Sequence, residues 1–359
     1  MSFDLEKFFK DIFAPQENEV VTLLCDLPHN NISDTKDWKE LREMVDEWQK
    51  KLFSASEGWG IKVNPVVTYN ATGTHNAPLP AAADMGGKEI ELESVINASN
   101  IVLIMSKFSA TATLKTIAKN SGRLRGASMP GVAKFMEQTS LSADYSVIQE
   151  RCRKLAPEFQ KAIGVHVTFS TGHTCYFDIS TDNPVHRSDG YLHPEVAGTI
   201  AAVCNLPTGE VYVVPNETAQ SKTAGELSEK IGDEIVVYVV KNNRIIDVKG
   251  DTPKAKELKQ SFQNDKARCN IAEVAIGCND KARVCGNILE DEKAGFHWAY
   301  GRSDHFGGLV GIKDFLSPQN VIHQDIVYAK DCPIICSNLA MIFPEGDQKT
   351  LIVDGELKI

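Results

Sequence analysis

The sequence predicts two domains, an N-terminal α/β domain with a parallel sheet flanked by helices and a C-terminal β-rich α+β domain. A chain of 359 residues has room for two domains of ordinary size. Before residue 140, continuous apolar segments alternate with segments of helical period, and after residue 164 the apolar period becomes two. We therefore predict an α/β domain over 1–140, a linking helix over 141–163 and a β-rich domain over 164–359.

The N-terminal part alternates strands with helices. Residues 20–28 (VVTLLCDLP) form a continuous apolar run that is typical of a buried parallel strand. Asp34 or Thr35 is suited to cap the next helix, in which apolar residues recur at helical spacing from Trp38 to Leu52. Further strands are predicted at 61–69, 98–106 and 122–131, and further helices at 91–96 and 112–120. This alternation indicates a parallel sheet.

The C-terminal part is predicted to be built from antiparallel hairpins. A long helix over 143–163 precedes it. Residues 165–180 read as one hairpin with Thr171 and Gly172 in the turn, and 235–250 as another with Asn242 and Asn243 in the turn. A helix at 253–262 interrupts the strands, which then continue to the C-terminus.

Composition excludes several classes of function. The formal charge of −10 and the lack of basic runs argue against a nucleic acid or an anionic membrane as partner. Nine scattered cysteines without a CxxC pair predict free thiols in a reducing compartment. The start, MSFDLEKFFKDIF, reads as an acidic amphipathic helix rather than a secretory signal, and the apolar runs are too short to cross a bilayer. A cytoplasmic location is expected.

Two glycine-containing loops do not predict a nucleotide site. The stretches ATGTHN (71–76) and DMGGKE (84–89) have neither the GxGxxG nor the GxxxxGK[ST] spacing of phosphate-binding loops. We interpret them as surface loops.

Carboxylates and imidazoles are concentrated between residues 272 and 325. Such side chains are the ligands that divalent cations prefer. His323 and Asp325 lie two apart in IHQDIVY, a spacing that puts both on one face of a strand. The other acids and imidazoles of this region are Glu273, Glu290, Asp291, Glu292 and His297, and Glu210 follows a Pro-Thr-Gly turn upstream. The pattern predicts a metal site assembled from several strands of one sheet.

Four motifs together resemble the metallopeptidase family of aminopeptidase T and aminopeptidase S. They are NLPTGEVYVVP (205–215), AEVAIGCN (272–279), GNILEDEKAGFHWAYG (286–301) and IHQDIVY (322–328). The segment MPGV (129–132) is similar to the family's interdomain region. The resemblance covers roughly 125–345, whereas the first 120 or so residues match less well.

This resemblance implies a two-metal hydrolase that removes N-terminal residues from short peptides. The implied metal ligands are Glu210, Glu273, Glu292, His297, His323 and Asp325, and Glu290 and Asp291 are expected to be structural. Zinc, cobalt and manganese all suit such ligands. The candidates for proton transfer are Glu210, His323 and Tyr300, with His305 as a fourth. The resemblance further implies a homodimer acting on a short peptide or small amide.

The same motifs also resemble the ring-opening 2,5-dihydroxypyridine dioxygenases, which use one ferrous ion. That chemistry needs two imidazoles and one carboxylate with open positions, which His323 and Asp325 would partly supply. Those enzymes have a histidine at the position of Glu273 and lack the acid found at Glu210, so both departures favour the hydrolase. A third alternative is a non-catalytic binding protein that retains the fold.

Overall fold

The computed structural model describes residues 3–180 and 182–359, so Met1 and Ser2 of the predicted first helix lie outside the described residues. The helices are α1 (Leu5–Phe13), α2 (Lys36–Trp59), α3 (Leu92–Ala98), α4 (Thr111–Ser121), α5 (Tyr145–Lys161), α6 (Pro253–Asn264) and α7 (Ile288–Asp291). The strands are β1 (Val20–Leu27), β2 (Lys62–Val63), β3 (Val67–Asn70), β4 (Ala82–Met85), β5 (Lys88–Glu91), β6 (Ile101–Ser106), β7 (Arg125–Pro130), β8 (Gly164–Phe169), β9 (Thr174–Asp178), β10 (His186–Ser188), β11 (Val203–Asn205), β12 (Glu210–Val213), β13 (Ala224–Ile231), β14 (Glu234–Lys241), β15 (Arg244–Lys249), β16 (Ile271–Gly277), β17 (Phe296–Gly301), β18 (His323–Tyr328), β19 (Cys336–Ile342), β20 (Gln348–Val353) and β21 (Glu356–Leu357).

The first compact unit comprises the chain up to Gln149 together with Ser188–Thr208. Its sheet has the order β11-β7-β6-β1-β3-β4-β5, and β2 pairs with β1. The strands from β11 to β3 are parallel, whereas β4 and β5 add an antiparallel edge. The predicted α/β class is confirmed for this part of the chain.

Helix α2 shows how the sequence sets the local structure of this unit. The Thr35 hydroxyl accepts a hydrogen bond from the Trp38 backbone N–H at 3.3 Å and so caps the first turn. The helix ends at Gly60, whose φ of 66° is left-handed. The predicted apolar stripe from Trp38 to Leu52 is buried, so its burial stabilises the helix more than intrinsic propensity does.

The unit boundaries differ from those that the sequence pattern predicts. Ser188–Thr208 returns to the first unit because β11 pairs in parallel with β7. The boundary near residue 150 lies inside α5 rather than at its ends. A three-residue strand is too short to show a period of two. The sequence pattern therefore does not indicate that Ser188–Thr208 belongs to the first unit.

Arg125 fixes this returning segment to the first unit. Its guanidinium is 1% exposed, donates to the carbonyls of Leu192 and Phe13, and forms a bidentate pair with Glu19 at 2.6 and 2.8 Å. Replacing Arg125 with methionine leaves the Glu19 carboxylate, 12% exposed, without its cation. We expect Arg125→Met to lower the free energy of unfolding by about 3–5 kcal/mol, measured by urea denaturation. The exposed Arg123→Met is the control, and equal effects of the two variants would contradict the assignment.

The second unit, Glu150–Arg187 with Gly209–Ile359, contains two mainly antiparallel sheets. One has the order β10-β12-β16-β17-β18 and the other β15-β14-β13-β9-β8-β19-β20-β21. Aromatic side chains pack the two sheets together, with ring centroids 5.4 Å apart for Tyr238 and Trp298 and 4.6 Å apart for Phe169 and Tyr328. The β-rich prediction is confirmed in its general class.

Both predicted hairpins are present in this unit. Strands β8 and β9 pair across the predicted turn at Thr171 and Gly172, and β14 and β15 pair across Asn242 and Asn243. The two asparagines have positive φ values of 49° and 61°, as a two-residue hairpin turn of the mirror-image type requires. Among the described residues, no helix is long and apolar enough to cross a membrane.

Candidate metal centre

The candidate ligands converge on one face of the five-stranded sheet. The register places Glu273 of β16 opposite Ala299 of β17, and Ala299 opposite Asp325 of β18. His297 and His323 each lie two residues before one of these positions, so both point to the same face. Three neighbouring strands therefore supply four of the six predicted ligands.

Small residues on this face leave room beneath the ligands. Ala275 lies opposite His297, and Gly277 lies opposite Glu210, the first residue of β12. Ala299 separates Glu273 from Asp325. Larger side chains at Ala275 and Ala299 would fill the space that the carboxylates and imidazoles enclose, whereas at Gly277 the Lys293 backbone packs against the strand.

The ligand atoms form two groups that share one carboxylate. Glu210, Glu273 and His297 make one group, within which the ligand atoms lie no more than 4.8 Å apart. Glu273, His323 and Asp325 make the second group under the same limit. Glu273 is thus common to both, with Oε1 3.7 Å from His297 Nε2 and Oε2 3.1 Å from His323 Nε2.

Backbone carbonyls orient both imidazoles toward the carboxylates. His297 Nδ1 lies 3.3 Å from the Gly295 carbonyl, and His323 Nδ1 lies 2.7 Å from the Arg302 carbonyl. A hydrogen bond at Nδ1 fixes the tautomer and leaves Nε2 available, which is the usual arrangement of metal-binding histidines. Each Nε2 here faces the carboxylate cluster.

His297 Nε2 provides the test of whether these residues fit a metal ion. It is completely buried and has no hydrogen-bond partner among the described residues. The nearest carboxylate oxygens, from Glu210 and Glu273, lie at 3.5 and 3.7 Å. A buried polar atom without a partner is costly, and a cation between this nitrogen and the two carboxylates would satisfy all three. The residues fit a divalent ion.

The pKa shifts in this cluster of carboxylates and imidazoles also favour a bound cation. Burial lowers the pKa of His297, but Glu273, Glu210 and Asp325 outweigh burial and raise that pKa to about 9. Burial raises the pKa of Glu273, but the neighbouring imidazoles of His297 and His323 outweigh burial and hold that pKa well below its usual range. The carboxylates therefore stabilise positive charge at the centre of the cluster.

Glu292 and Lys293 lie beside the first group. The Lys293 side chain is 1% exposed, and its ammonium contacts Glu292 and donates to Glu210 Oε1 at 2.7 Å. Burial raises the pKa of Glu292 to about 7, with Glu210 and Asp325 adding to the shift and Lys293 opposing it. Glu292 is not a member of either ligand group. Its carboxylate is instead paired with the Lys293 ammonium.

Gly277 makes this position of Lys293 possible. A Cβ on Gly277 would lie 2.5 Å from the backbone carbon and oxygen of Lys293. Only glycine allows the chain around Lys293 to pack this closely onto β16. The close approach brings the ammonium within reach of Glu210.

Tyr300 does not join the other predicted site residues. It alternates with Ala299 on β17 and so faces the opposite side of the sheet, where its ring packs 5.1 Å from that of Phe262. Burial raises its pKa to about 12. Its proposed part in proton transfer is corrected on this geometry, because the hydroxyl lies on the face opposite Glu273 and Asp325.

Tyr212 is a site residue that the sequence reasoning missed. It follows Glu210 by two on β12 and lies opposite Ala275, on the ligand face. Burial raises the pKa of its phenol well above 10, and the charges of Glu210, Glu273 and Glu292 add to the shift. The sequence feature that could have identified Tyr212 is its two-residue spacing from Glu210 in GEVYV. Lys293 gave no such signal, since lysine is normally exposed.

Glu290 and Asp291 accept hydrogen bonds from loop backbone. Glu290 accepts from Arg283 N at 3.1 Å, and Asp291 accepts from Cys285 N and Gly286 N at 2.8 and 3.0 Å. Both are buried, and neither belongs to a ligand group. His305 lies beside His323, with ring centroids 5.1 Å apart.

No protein-family model matches the sequence, and no curated protein matches it. Solved structures do share its fold. The 2,5-dihydroxypyridine dioxygenase from Pseudomonas putida superposes with a TM-score of 0.64 at 15% identity, covering 99% of this chain and 96% of that one. Wild-type AmpT from Thermus thermophilus superposes with a TM-score of 0.56 at 11% identity, covering 99% of this chain and 98% of that one. Both resemblances drawn from the sequence motifs are confirmed, and the chain has the fold of these two enzymes.

Proposed function

We propose that the protein is a two-metal hydrolase, an aminopeptidase that removes N-terminal residues from short peptides. The observation that carries this proposal is the shared carboxylate. Glu273 presents one oxygen to each of two ligand groups, and a carboxylate can bridge two cations through its two oxygens. An imidazole at this position could hold one ion only.

The candidate residues would have the following roles in metal binding and proton transfer. Glu210 and His297 would hold one divalent ion, His323 and Asp325 would hold the other, and Glu273 faces both groups. Two such ions would polarise a substrate carbonyl and activate a water molecule near neutral pH. Tyr212 lies on the same face and is placed to donate or accept a proton, whereas His323, as a metal ligand with Nδ1 on the Arg302 carbonyl, would not be free to do so. His305, whose pKa burial and the neighbouring His323 lower to about 4, is neutral beside them.

The specificity for N-termini follows from the same arrangement. The free α-amine of a peptide has a lone pair that can bind a metal ion, whereas an acylated amine does not. One end of the substrate would thus be fixed at the centre, which positions the first peptide bond. The homodimer and the cytoplasmic location stay predictions.

Metal content and substrate blocking together test the proposed function. Protein loaded with manganese, cobalt or zinc without oxygen should hold about two ions per chain by elemental analysis. Acetylating the N-terminus of a cleavable tripeptide should remove most turnover. Equal rates on blocked and free peptides would rule out the aminopeptidase and leave a broader amidohydrolase.

A second candidate is a mononuclear ferrous dioxygenase. The position of Lys293 favours it, because its ammonium already occupies Glu210 Oε1 and competes there with a metal ion. In that case one ion would bind at Glu273, His323 and Asp325, a group with one imidazole and two carboxylates where the dioxygenase chemistry needs two imidazoles and one carboxylate. A single tightly bound iron per chain with oxygen-dependent ring cleavage would support this candidate over the hydrolase.

A further inference from the structure

Strand β18 forms one end of the five-stranded sheet, next to the candidate metal centre. The strand order ends at β18, and within residues 3–180 and 182–359 no other strand pairs with its outer edge. Asp325, in the middle of this strand, supplies a candidate ligand carboxylate. The edge and the metal centre therefore share a residue.

The register shows which backbone groups face outward. Arg302 N donates to the Ile322 carbonyl at 2.8 Å, which makes these two residues a hydrogen-bonded pair. Hydrogen-bonded and non-hydrogen-bonded pairs alternate along an antiparallel ladder. Asp325 and Val327 therefore belong to non-hydrogen-bonded pairs with β17. Their N–H and C=O groups point away from β17, toward the outer edge.

Side-chain contacts agree with this orientation. The Asp325 carbonyl accepts from the amide of Gln324 at 3.0 Å, and Cys332 Sγ lies 3.9 Å from the Val327 carbonyl. Neither contact comes from β17. Both carbonyls are therefore reached from the outer side, where a ligand backbone would approach.

A cavity of about 340 Å³ runs along this edge. Consecutive residues of β18, from Gln324 to Tyr328, line it. Its walls include the apolar side chains of Val284 and Ile288, which are 38% and 48% exposed. Other lining residues include Lys230, Pro333 and Ile334. Its lining thus combines an edge strand with apolar side chains.

We propose that an extended peptide binds along the outer edge of β18 as an added strand, with its N-terminal residue at the metal centre. This inference rests on the proposed function and adds how the substrate backbone is bound. Backbone groups two residues apart bind any extended peptide whatever its side chains. Asp325 and Val327 are separated by about 7 Å along the strand. A peptide of three or more residues uses both, whereas a small amide reaches only the first.

The test measures binding of a non-cleavable peptide to the metal-loaded protein. The probe is a pentapeptide whose first peptide bond is reduced to CH₂–NH, titrated by calorimetry. A series of probes carries one N-methyl group at each remaining amide in turn. We expect every second N-methyl group to weaken binding about fivefold, the size of one lost backbone hydrogen bond, and the others to have little effect.

A pair of variants at one position gives an independent readout. Val327→Pro removes the outward N–H, which an edge strand tolerates, whereas Val327→Ala removes the side chain and keeps the N–H. We expect a weakening of about fivefold for Val327→Pro relative to Val327→Ala. Metal content equal to that of the wild type would show that both variants are folded.

Two results would overturn the edge-binding proposal, namely a flat N-methyl series or equal affinities of the Val327 variants. A dimer that Val327→Pro dissociates without changing peptide affinity would also overturn it, and would assign the edge to a second copy of the chain. Peptide hydrolysis with a flat series would leave the proposed function standing. An alternating N-methyl series without peptide hydrolysis would support edge binding and contradict the proposed function.

Discussion

Glu273→Gln should reduce peptide hydrolysis at least 10²-fold, the scale expected when a positioned catalytic ion is lost. The amide keeps the shape of the carboxylate, but it is neutral and has one oxygen. It can therefore no longer offer a charged oxygen to each ligand group, as the carboxylate does with Oε1 3.7 Å from His297 Nε2 and Oε2 3.1 Å from His323 Nε2. Metal content should fall from about two ions per chain to one or fewer. Elemental analysis and peptide cleavage measure the two effects.

Glu226→Gln is the matched control for this change. Glu226 lies on β13 in the other sheet of the same unit and pairs with Lys249, so the same loss of one charge occurs away from the centre. A folded Glu273→Gln protein that keeps two ions and normal turnover would show that Glu273 is not a ligand. Loss of a single ion with retained hydrolysis would place the chemistry at one ligand group alone.

The strands that form the site could be predicted because their patterns are strong. Asp325 and His323 share a face through simple alternation, and the structure places His323 Nε2 3.5 Å from Asp325 Oδ1. Residues 271–277 are buried throughout, which explains why β16 reads as a continuous apolar run around Glu273. In these segments local alternation and the packed sheet agree, so the sequence is informative.

The candidate Tyr300 shows where strand geometry corrects the sequence analysis. It is one of the candidates for proton transfer, yet odd and even positions of one strand face opposite sides, so Tyr300 faces away from His297. The same rule, applied to GEVYV, selects Tyr212 with Glu210. Alternation along each strand therefore indicates which tyrosine lies on the ligand face.

Other features depend on contacts that no local pattern encodes. The return of Ser188–Thr208 to the first unit rests on a three-residue strand and on Arg125, which is distant in sequence from Leu192. The burial of Lys293 rests on the close packing of its backbone against Gly277. Long-range pairing of this kind requires the folded chain.

Lys293→Met should destabilise the metal-free protein by about 3–5 kcal/mol, the cost of removing one partner from a buried ion pair. Methionine fills a similar volume, so little packing is lost, but Glu210 and Glu292 then face each other without the ammonium. A divalent ion at Glu210, Glu273 and His297 would supply positive charge in its place. Saturating metal should therefore reduce the difference in unfolding free energy from the wild type by at least half.

Urea denaturation of both proteins, in excess chelator and in excess manganese, measures this linkage. Lys281→Met is the control, because Lys281 lies in the adjoining loop and is exposed; it should change stability little in either condition. A Lys293→Met protein as stable as the wild type in chelator would mean that the ammonium does not hold the two carboxylates. A loss of stability that manganese leaves unchanged would mean that the ion and Lys293 do not share Glu210. Glu210 would then have to be removed from the first ligand group.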